Sequence, residues 1–229
     1  MIELRNVKRT YVSGEVRVEA LRGIDLEIGR GEFVAIAGPS GSGKTTLMNI
    51  IGTIDRHDEG RVTIDGVDTG SMDKAARAGY RRERLGFVFQ SYNLIPVLTA
   101  YENVAFALSL LGTPEQETRK RVMALLEEVG LAGMEDRIPA RLSGGQQQRV
   151  AIARALVKQP RIILADEPTA NLDSHTGEEI LKLMKEMNRR HETTFVFCTH
   201  DPMVMDYAKR LIRLHDGLVQ SDERRETSA

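Results

Sequence analysis

The first third of the chain has the hydrophobic pattern of β-strands. In "GIDLEIG" the apolar residues Ile24, Leu26 and Ile28 alternate with acidic residues, which is the period of a half-buried strand. The run "FVAIA" at Phe33–Ala37 is continuously apolar, as in a strand covered on both faces. "RVTIDG" and "LGFVFQ" are two further strand candidates. This part of the chain is therefore predicted to be rich in β-structure.

The pattern then changes to a helical period, and it predicts a helical block over roughly Asn93–Lys158. The segment Thr99–Leu111 begins with a Thr-x-x-Glu capping box and ends at a glycine. In "TRKRVMALLEEVG" the apolar residues recur at i, i+3, i+4 and i+7, and a glycine closes the helix. The apolar positions of this helix are Val122, Leu125, Leu126 and Val129.

Strands return after this block, in "RIILAD" and "TTFVFCT". A helix is predicted from about Thr176, and Asp201 followed by proline begins a short helix as N-cap and N1 residues. "LIRLHDGLV" predicts a hairpin that turns at Asp216-Gly217. Strands that alternate with helices favour an α/β fold with a mostly parallel sheet and crossover helices. The segment Ser221–Ala229, which has no apolar face, is expected to be a disordered tail.

Composition narrows the function classes. The 229 residues carry a net charge of −1, so no global basic field indicates nucleic acid as a partner. The N-terminus has no signal-peptide core, and the apolar-rich segment Val104–Leu111 is far shorter than the ~20 residues of a membrane helix. One cysteine excludes a disulfide framework and a cysteine-rich zinc site. We therefore expect a soluble, cytoplasmic protein.

The segment "GPSGSGKTT" matches the phosphate-binding pattern G-x-x-x-x-G-K-[ST]. It follows the apolar strand Phe33–Ala37 and precedes a helical run, which is the context that the pattern requires. Backbone amides would cradle the phosphates, Lys44 would reach the β- and γ-phosphates, and the Thr45 hydroxyl would bind Mg²⁺. The expected nucleotide-binding residues of this loop are Gly38, Pro39, Ser40, Gly41, Ser42, Gly43, Lys44, Thr45 and Thr46.

An acidic pair follows the buried strand in "IILADEPTANLD". A carboxylate at the C-terminal end of a parallel strand lies where open α/β sheets bind ligands. Asp166 is therefore placed to hold Mg²⁺, and Glu167 to orient or deprotonate an attacking water. Such a pair is often only a solvated loop or a helix cap. That alternative is weaker here, because Pro168 excludes a helical conformation at Glu167.

A second anion-binding loop is predicted at "LSGGQ". Ser143 and Gln146 form a Ser-x-x-Gln capping box, and Gly144 and Gly145 leave amides exposed at a helix N-terminus. With this motif, the chain from Met1 to about Gln220 resembles the nucleotide-binding domain of an ATP-binding cassette (ABC) ATPase.

The resemblance assigns four further residues. Tyr11 matches the aromatic residue that stacks on adenine, and Gln90 the glutamine that touches Mg²⁺ and the attacking water. Asp173 matches the aspartate that faces the partner subunit, and His200 the histidine that contacts the γ-phosphate. The implied catalytic residues are Glu167, His200 and Gln90, and the implied metal ligands are Thr45, Gln90 and Asp166.

The resemblance also implies a domain organisation and a partner copy. A single ABC domain over 1–229 would comprise a catalytic core with an antiparallel β subdomain at 1–92 and 159–220. An inserted helical signature subdomain would span 93–158, and a tail 221–229. In the family two domains pair head to tail, and Ser143–Gly145 of one closes over the ATP of the other. Each chain would then supply half of two sites, which a two-fold pair makes self-consistent.

The motif sequences are similar to those of the bacterial lipoprotein-releasing, macrolide-efflux and cell-division ATPases. That branch implies an integral membrane permease as partner, no nucleic acid, and a peripheral location on the cytoplasmic face of the inner membrane. The apolar segment "SYNLIPVLTAYENV" after Gln90 is the expected docking site for a short helix of the permease. The alternative is a soluble ABC ATPase acting on DNA or ribosomes. The basic run "RAGYRRERLG" of this chain could serve as a nucleic-acid-binding patch in that alternative, but it is better explained as a solvated helix face.

Overall fold

The computed structural model describes residues 1–225 of the chain. In that range the strands are β1 Ile2–Ser13, β2 Val16–Ile28, β3 Phe33–Ala37, β4 Glu59–Ile64, β5 Val67–Asp68, β6 Leu85–Phe89, β7 Ile162–Asp166, β8 Thr194–Thr199, β9 Arg210–His215 and β10 Leu218–Arg224. The α-helices are α1 Lys44–Ile51, α2 Lys74–Arg84, α3 Ala100–Ser109, α4 Glu115–Glu128, α5 Gly144–Leu156, α6 Ser174–His191 and α7 Pro202–Tyr207, and a short 3₁₀ helix spans Pro139–Arg141. No helix among the described residues is long and apolar enough to cross a membrane.

The chain forms two compact units. Among the described residues, the first contains Met1–Arg81 and 194–225, and the second contains Arg82–Thr193. The predicted helical subdomain at 93–158 falls inside the second unit, and its boundaries stay a prediction.

The first unit contains the predicted antiparallel β subdomain, with strand order β2-β1-β4-β5. Ile2 lies opposite both Ile28 on β2 and Ile64 on β4. Ile24, Leu26 and Ile28 are buried and the acidic residues between them are exposed. The alternation in the sequence therefore describes β2 correctly, because one face of the strand packs on the core and the other meets solvent.

The first unit also contains a parallel arrangement in which β3 lies between β8 and β9. All five residues of β3 and all six of β8 are buried, as the continuous apolar runs predict. Phe33 packs on Phe197 with ring centroids 4.5 Å apart. The predicted hairpin joins β9 to β10, and Asp216 and Gly217 both have positive φ angles, 47° and 72°. This is the geometry of a two-residue hairpin loop whose twist matches the strands.

The predicted disordered tail is wrong for residues 221–224, which belong to β10. Arg210 holds this strand through its side chain, which bonds both carboxylate oxygens of Asp222 at 2.8 and 2.7 Å. Glu32 accepts a third hydrogen bond from Arg210, at 2.8 Å. The Arg210 hydrogen bonds lower the pKa of Asp222 below its ordinary value, against the effect of burial. Residues 226–229 of the predicted tail lie outside the described residues.

The second unit combines the parallel pair β6 and β7 with α3, α4, α5 and α6. The predicted capping box at Thr99 is present, and Glu102 returns its side chain to the Thr99 amide. The predicted apolar face of α4 is buried, as Val122 and Leu126 show. Helix α5 packs against β6, α3 and α6, so it lies at the centre of this unit.

Candidate functional site

The phosphate loop of the first unit follows β3 directly. Main-chain atoms lie close to Gly38 and Gly43. A Cβ atom on Gly38 would lie 2.2 Å from the Leu214 carbonyl oxygen, and a Cβ atom on Gly43 would lie 2.5 Å from the Ala20 carbonyl oxygen. Gly43 also has a φ of 100°, in the left-handed region that favours glycine. Only glycine fits these two positions, so the loop's backbone can approach a ligand closely.

Helix α1 begins at this loop without the usual stabilisation of its N-terminus. Gly43 is its N-cap, and no side chain caps the helix. The first turn contains no acidic residue. The Lys44 ammonium group donates hydrogen bonds to the carbonyl oxygens of Gly38 at 2.7 Å and Pro39 at 2.9 Å. The loop thus combines uncapped amides, the positive end of a helix dipole and a lysine, which together favour a bound anion.

Strand register places His200 beside this loop. Ala37 at the end of β3 pairs with Thr199 at the end of β8, so Gly38 and His200 both begin the segments that leave the same edge. His200 is exposed, whereas Thr199 is fully buried. In the same unit Tyr11 lies near the end of β1, opposite Val18 of β2, and is 38% exposed.

The second unit brings together the predicted glutamine and carboxylates. Phe89 at the end of β6 pairs with Asp166 at the end of β7. Gln90 and Glu167 are therefore the next residues of two adjacent parallel strands and leave the same sheet edge. Glu167 has a φ of 45°, a left-handed conformation that is uncommon for a non-glycine residue and typical of functional sites.

The capping box predicted at the second glycine motif is present. Ser143 accepts a hydrogen bond from the Gln146 amide at 3.3 Å, and Gln146 accepts one from the Ser143 amide at 3.0 Å. A Cβ on Gly144 would lie 2.9 Å from the Tyr92 hydroxyl, and one on Gly145 would lie 2.6 Å from Thr176. A side chain at Gly144 would have to displace Tyr92, and one at Gly145 would have to displace Thr176; Ser143 beside them is exposed.

Asp173 is the N-cap of α6, which begins two residues earlier than predicted. Its carboxylate accepts hydrogen bonds from the Thr176 hydroxyl at 2.7 Å and the Thr176 amide at 3.0 Å. These bonds lower the pKa of Asp173. The capping bond explains the early start of the helix, because it satisfies an amide in the first turn. The side chain is exposed, which leaves it available to a partner.

Sequence reasoning missed three residues that hold these segments in place. Gln148 of α5 is fully buried and donates a 2.7 Å hydrogen bond to the carbonyl oxygen of Pro168, next to Glu167. Asn171 donates a 3.0 Å bond to the carbonyl oxygen of Gln90. Arg154 is the third. Its signal in the sequence is a charged residue within the apolar stretch "VAIARAL", and burial lowers the pKa of its guanidinium.

Several other cysteine, methionine and histidine side chains lie in packed surroundings. Cys198 is buried in β8, and Met184 and Met187 are buried in α6. His57 is half-buried, and its ring packs against Gly70. Among the described residues no group of three His, Cys, Asp or Glu side chains could hold a metal ion.

Helix α2 contains most of the basic run. Arg82 and Arg84 are exposed. Arg77 and Arg81 are half-buried, and the Arg81 guanidinium donates a 2.8 Å hydrogen bond to the Thr53 carbonyl oxygen. The predicted solvated face therefore describes only part of the run.

Comparison with known proteins identifies the family. The family model described as "ABC transporter" matches residues 21–170. The chain belongs to the ABC transporter family. It is 47% identical over 222 residues to the lipoprotein-releasing system ATP-binding protein LolD of Anaeromyxobacter dehalogenans, covering 96% of this chain and 93% of LolD. It is also 47% identical to the macrolide export ATP-binding/permease protein MacB of Syntrophobacter fumaroxidans, of which it spans only 31%.

A solved structure has the same fold over nearly the whole chain. It is titled as a dimeric, post-hydrolysis state of the ATP-binding cassette MJ0796 bound to ADP and Pi, a protein of Methanocaldococcus jannaschii. The two share 47% identity and a TM-score of 0.88, covering 98% of each chain. The protein is thus an ABC-type ATPase with an α/β fold, an ATP-binding subunit of the LolD and MacB type. The predicted family, fold and enzyme class are confirmed, and the roles of individual residues stay predictions.

Proposed function

We propose that this ABC ATPase binds and hydrolyses Mg-ATP as a head-to-tail homodimer and drives an integral membrane permease from the cytoplasmic face of the inner membrane. The permease would act in export, lipoprotein release or mechanotransmission. Support comes from the names of the relatives LolD and MacB and from the dimeric form in which MJ0796 was solved. The observation that carries the proposal is the Phe89–Asp166 register, which places Gln90 and Glu167 on one sheet edge.

The phosphate loop would bind the triphosphate of ATP. Lys44 already lies over the loop through its bonds to two carbonyl oxygens, and it would exchange these for the β- and γ-phosphate oxygens. His200, which leaves the same edge as Gly38, would contact the γ-phosphate. Tyr11 would stack on the adenine base through its exposed ring surface.

The donor groups fit Mg²⁺. Thr45 offers a hydroxyl, Gln90 an amide oxygen and Asp166 a carboxylate, and hard oxygen ligands of this kind are the ones that Mg²⁺ prefers. When bound, the ion would neutralise charge on the phosphate oxygens. Glu167 would accept a proton from the attacking water, and its strained backbone, followed by Pro168, would fix the direction of the carboxylate.

The second glycine motif would act on the nucleotide of a second copy. Ser143 is exposed at the N-terminus of α5, where the helix dipole favours a negative charge. In a two-fold dimer the same two surfaces meet twice, so each phosphate loop would receive the Ser143–Gly145 segment of the other chain. Asp173, exposed at the start of α6, would lie at this interface.

The permease would dock in a groove of the second unit. The groove has a volume of about 360 Å³. Its apolar lining includes Phe87, Phe89, Ile95, Phe106 and Leu110. Phe106 and Leu110 are exposed, as is Val97 on the adjoining loop, at 80%. Exposed apolar side chains around a concave surface are typical of a protein-binding site, and a short amphipathic helix of the permease would cover them.

The loop that borders this groove is held in a strained conformation. Tyr92 and Asn93 have positive φ angles of 58° and 49°. Arg154 donates hydrogen bonds to both of their carbonyl oxygens, at 2.7 and 2.5 Å. The buried side chain of Asn103 bonds to the Ile95 amide and carbonyl. These contacts satisfy the loop's backbone while Pro96 and Val97 stay exposed and Leu94 and Ile95 are half-buried, so the loop is preorganised for a partner.

Affinity purification of the chain from detergent-extracted membranes tests the proposal. We expect an integral membrane protein to copurify in near-stoichiometric amount. Copurification with ribosomes instead, or DNA binding that weakens steeply with salt, would contradict the permease assignment and support the alternative function.

A further inference from the structure

The ring of Tyr11 is held by two neighbouring side chains. Its hydroxyl donates a hydrogen bond of 2.7 Å to Oδ2 of Asp55. The guanidinium carbon of Arg9 lies 4.7 Å from the ring centroid, within the range of a cation–π contact. One contact fixes the tip of the ring and the other occupies one of its faces, while 38% of the residue remains exposed.

These two side chains are themselves restrained. Arg9 donates to Oδ1 of Asp55 at 3.0 Å and to Oδ1 of Asp58 at 2.7 Å. Burial alone would raise the pKa of Asp55, but the Tyr11 hydroxyl and the Arg9 charge outweigh it, and the pKa lies below its ordinary value. The side chains of Arg9 and Asp55 are 21% and 27% exposed. The pair is therefore better shielded from solvent than an ordinary surface salt bridge, which contributes little.

Hydrogen bonds to main-chain groups also hold Asp55 and Asp58 in place. Asp58 accepts a 2.7 Å hydrogen bond from the Thr10 amide and donates its own amide to the Lys8 carbonyl at 2.9 Å. The Asp55 amide donates to the Asn49 carbonyl, in α1, at 3.1 Å. Helix α1 begins at Lys44 of the phosphate loop. A continuous set of contacts thus connects the phosphate loop, through α1 and Asp55, to the ring of Tyr11.

We propose that Arg9 and Asp55 are positioning residues for the adenine base, which hold the Tyr11 ring at a set distance from the phosphate loop. This rests on the proposed stacking of adenine on Tyr11. A ring ordered before ATP arrives loses less conformational freedom on stacking, so restraint increases affinity for the base. The phosphate contacts do not depend on the ring, so the restraint should affect only ligands that carry a base.

The test compares two ligands by isothermal titration calorimetry: the non-hydrolysable ATP analogue adenylyl imidodiphosphate and inorganic tripolyphosphate, both with Mg²⁺. We expect Arg9→Gln and Asp55→Ala each to raise the Kd of the ATP analogue about three- to tenfold, on the scale of one lost hydrogen bond or cation–π contact. The Kd of tripolyphosphate should stay unchanged. Tyr11→Phe, which keeps the ring and loses only the bond to Asp55, should give a smaller rise.

Two controls separate the possible outcomes. Lys8 lies on the same strand as Tyr11 and forms an exposed ion pair with Glu59 of β4; Lys8→Gln removes that pair without touching Tyr11, and it should bind both ligands normally. Tyr11→Ala tests the stacking itself: if it leaves ATP-analogue affinity intact, the proposed adenine contact is wrong. If Tyr11→Ala weakens the analogue but Arg9→Gln and Asp55→Ala do not, the positioning role alone is overturned. A parallel loss of tripolyphosphate binding would also overturn it, because the residues would then be structural.

Discussion

The side-chain amide of Asn171 donates a 3.0 Å hydrogen bond to the main-chain carbonyl oxygen of Gln90. The two residues belong to the segments that follow β7 and β6, the strands whose ends pair Asp166 with Phe89. Tyr92, two residues after Gln90, returns a hydrogen bond to the Asn171 carbonyl at 3.4 Å. The loop after β6, which borders the apolar groove, and the loop after β7, which begins with Glu167, are therefore tied to each other by two hydrogen bonds. We expect a displacement of either loop to be transmitted to the other through these two bonds.

The first prediction concerns Glu167 as general base. Glu167→Gln keeps the size of the side chain and removes the carboxylate that accepts a proton. Hydrolysis should fall by ~10²–10⁴-fold while ATP binding is retained. The variant should also accumulate as an ATP-bound dimer, which size-exclusion chromatography would detect. Glu179→Gln, an exposed glutamate of α6, is the matched control and should hydrolyse ATP normally. Near-normal turnover by Glu167→Gln would exclude the assignment.

The second prediction concerns Gln148, which connects helix α5 to the segment after Glu167. Gln148→Leu removes the bond to the Pro168 carbonyl and leaves that oxygen without this donor. Stability should fall by about 1–3 kcal/mol, and kcat should fall while the Kd for ATP changes little. Thermal unfolding and steady-state kinetics measure the two effects.

The matched control for Gln148 is Asn188, another buried amide of the second unit. It donates a 2.7 Å bond to the Thr193 carbonyl, away from the carboxyl ends of β6 and β7. Asn188→Leu should lose a similar amount of stability with kcat unchanged. If both variants lose kcat equally, Gln148 has only a structural role.

Much of this fold could be predicted from local patterns. The alternation in β2, the continuous apolar run of β3 and the capping boxes at Thr99 and Ser143 depend on residues close in sequence. The end of β10 could not be predicted in this way. Its Asp222 and Arg224 look solvated in the sequence, but they pair with Arg210 and Glu32, and Glu32 is nearly 200 residues away.

The residues of the candidate site also fall into those that local sequence patterns identify and those that they do not. Motif residues such as Lys44 were found because their chemistry requires a fixed spacing. Gln148, Asn171 and Arg154 were missed because each bonds a main-chain carbonyl oxygen. Any residue supplies such an acceptor, so the sequence around the donor does not indicate where its partner lies.

The third prediction is that catalysis needs two chains. Lys44→Ala removes the lysine of the phosphate loop, and Ser143→Arg fills the signature segment with a bulky charge. Neither variant should hydrolyse ATP alone, and a mixture should partly recover activity. The recovered site would combine the intact phosphate loop of the Ser143 variant with the intact signature segment of the Lys44 variant.

The complementation experiment needs a stability control, because Ser143 also caps α5. Loss of an N-cap side chain lowers the free energy of unfolding by about 0.5–2 kcal/mol. Ser143→Asn retains a capping side chain, and it should be as stable as the wild type. Activity that stays proportional to protein concentration in a strictly monomeric sample would exclude the arrangement in trans.

The last prediction concerns the groove of the second unit and its permease. Leu110 lines the groove at the end of α3 and is half exposed, so Leu110→Glu should fold normally. A charge there would have to be desolvated beneath the docked helix without a partner, which costs several kcal/mol. We expect copurification of the membrane protein to fall by at least tenfold, while ATP binding by the isolated chain is unchanged. Leu218→Glu introduces the same charge at a similarly exposed leucine of β10 and should leave the complex intact. If Leu110→Glu retains the membrane protein, or if ATP affinity falls as much as partner binding, the groove is not the docking site.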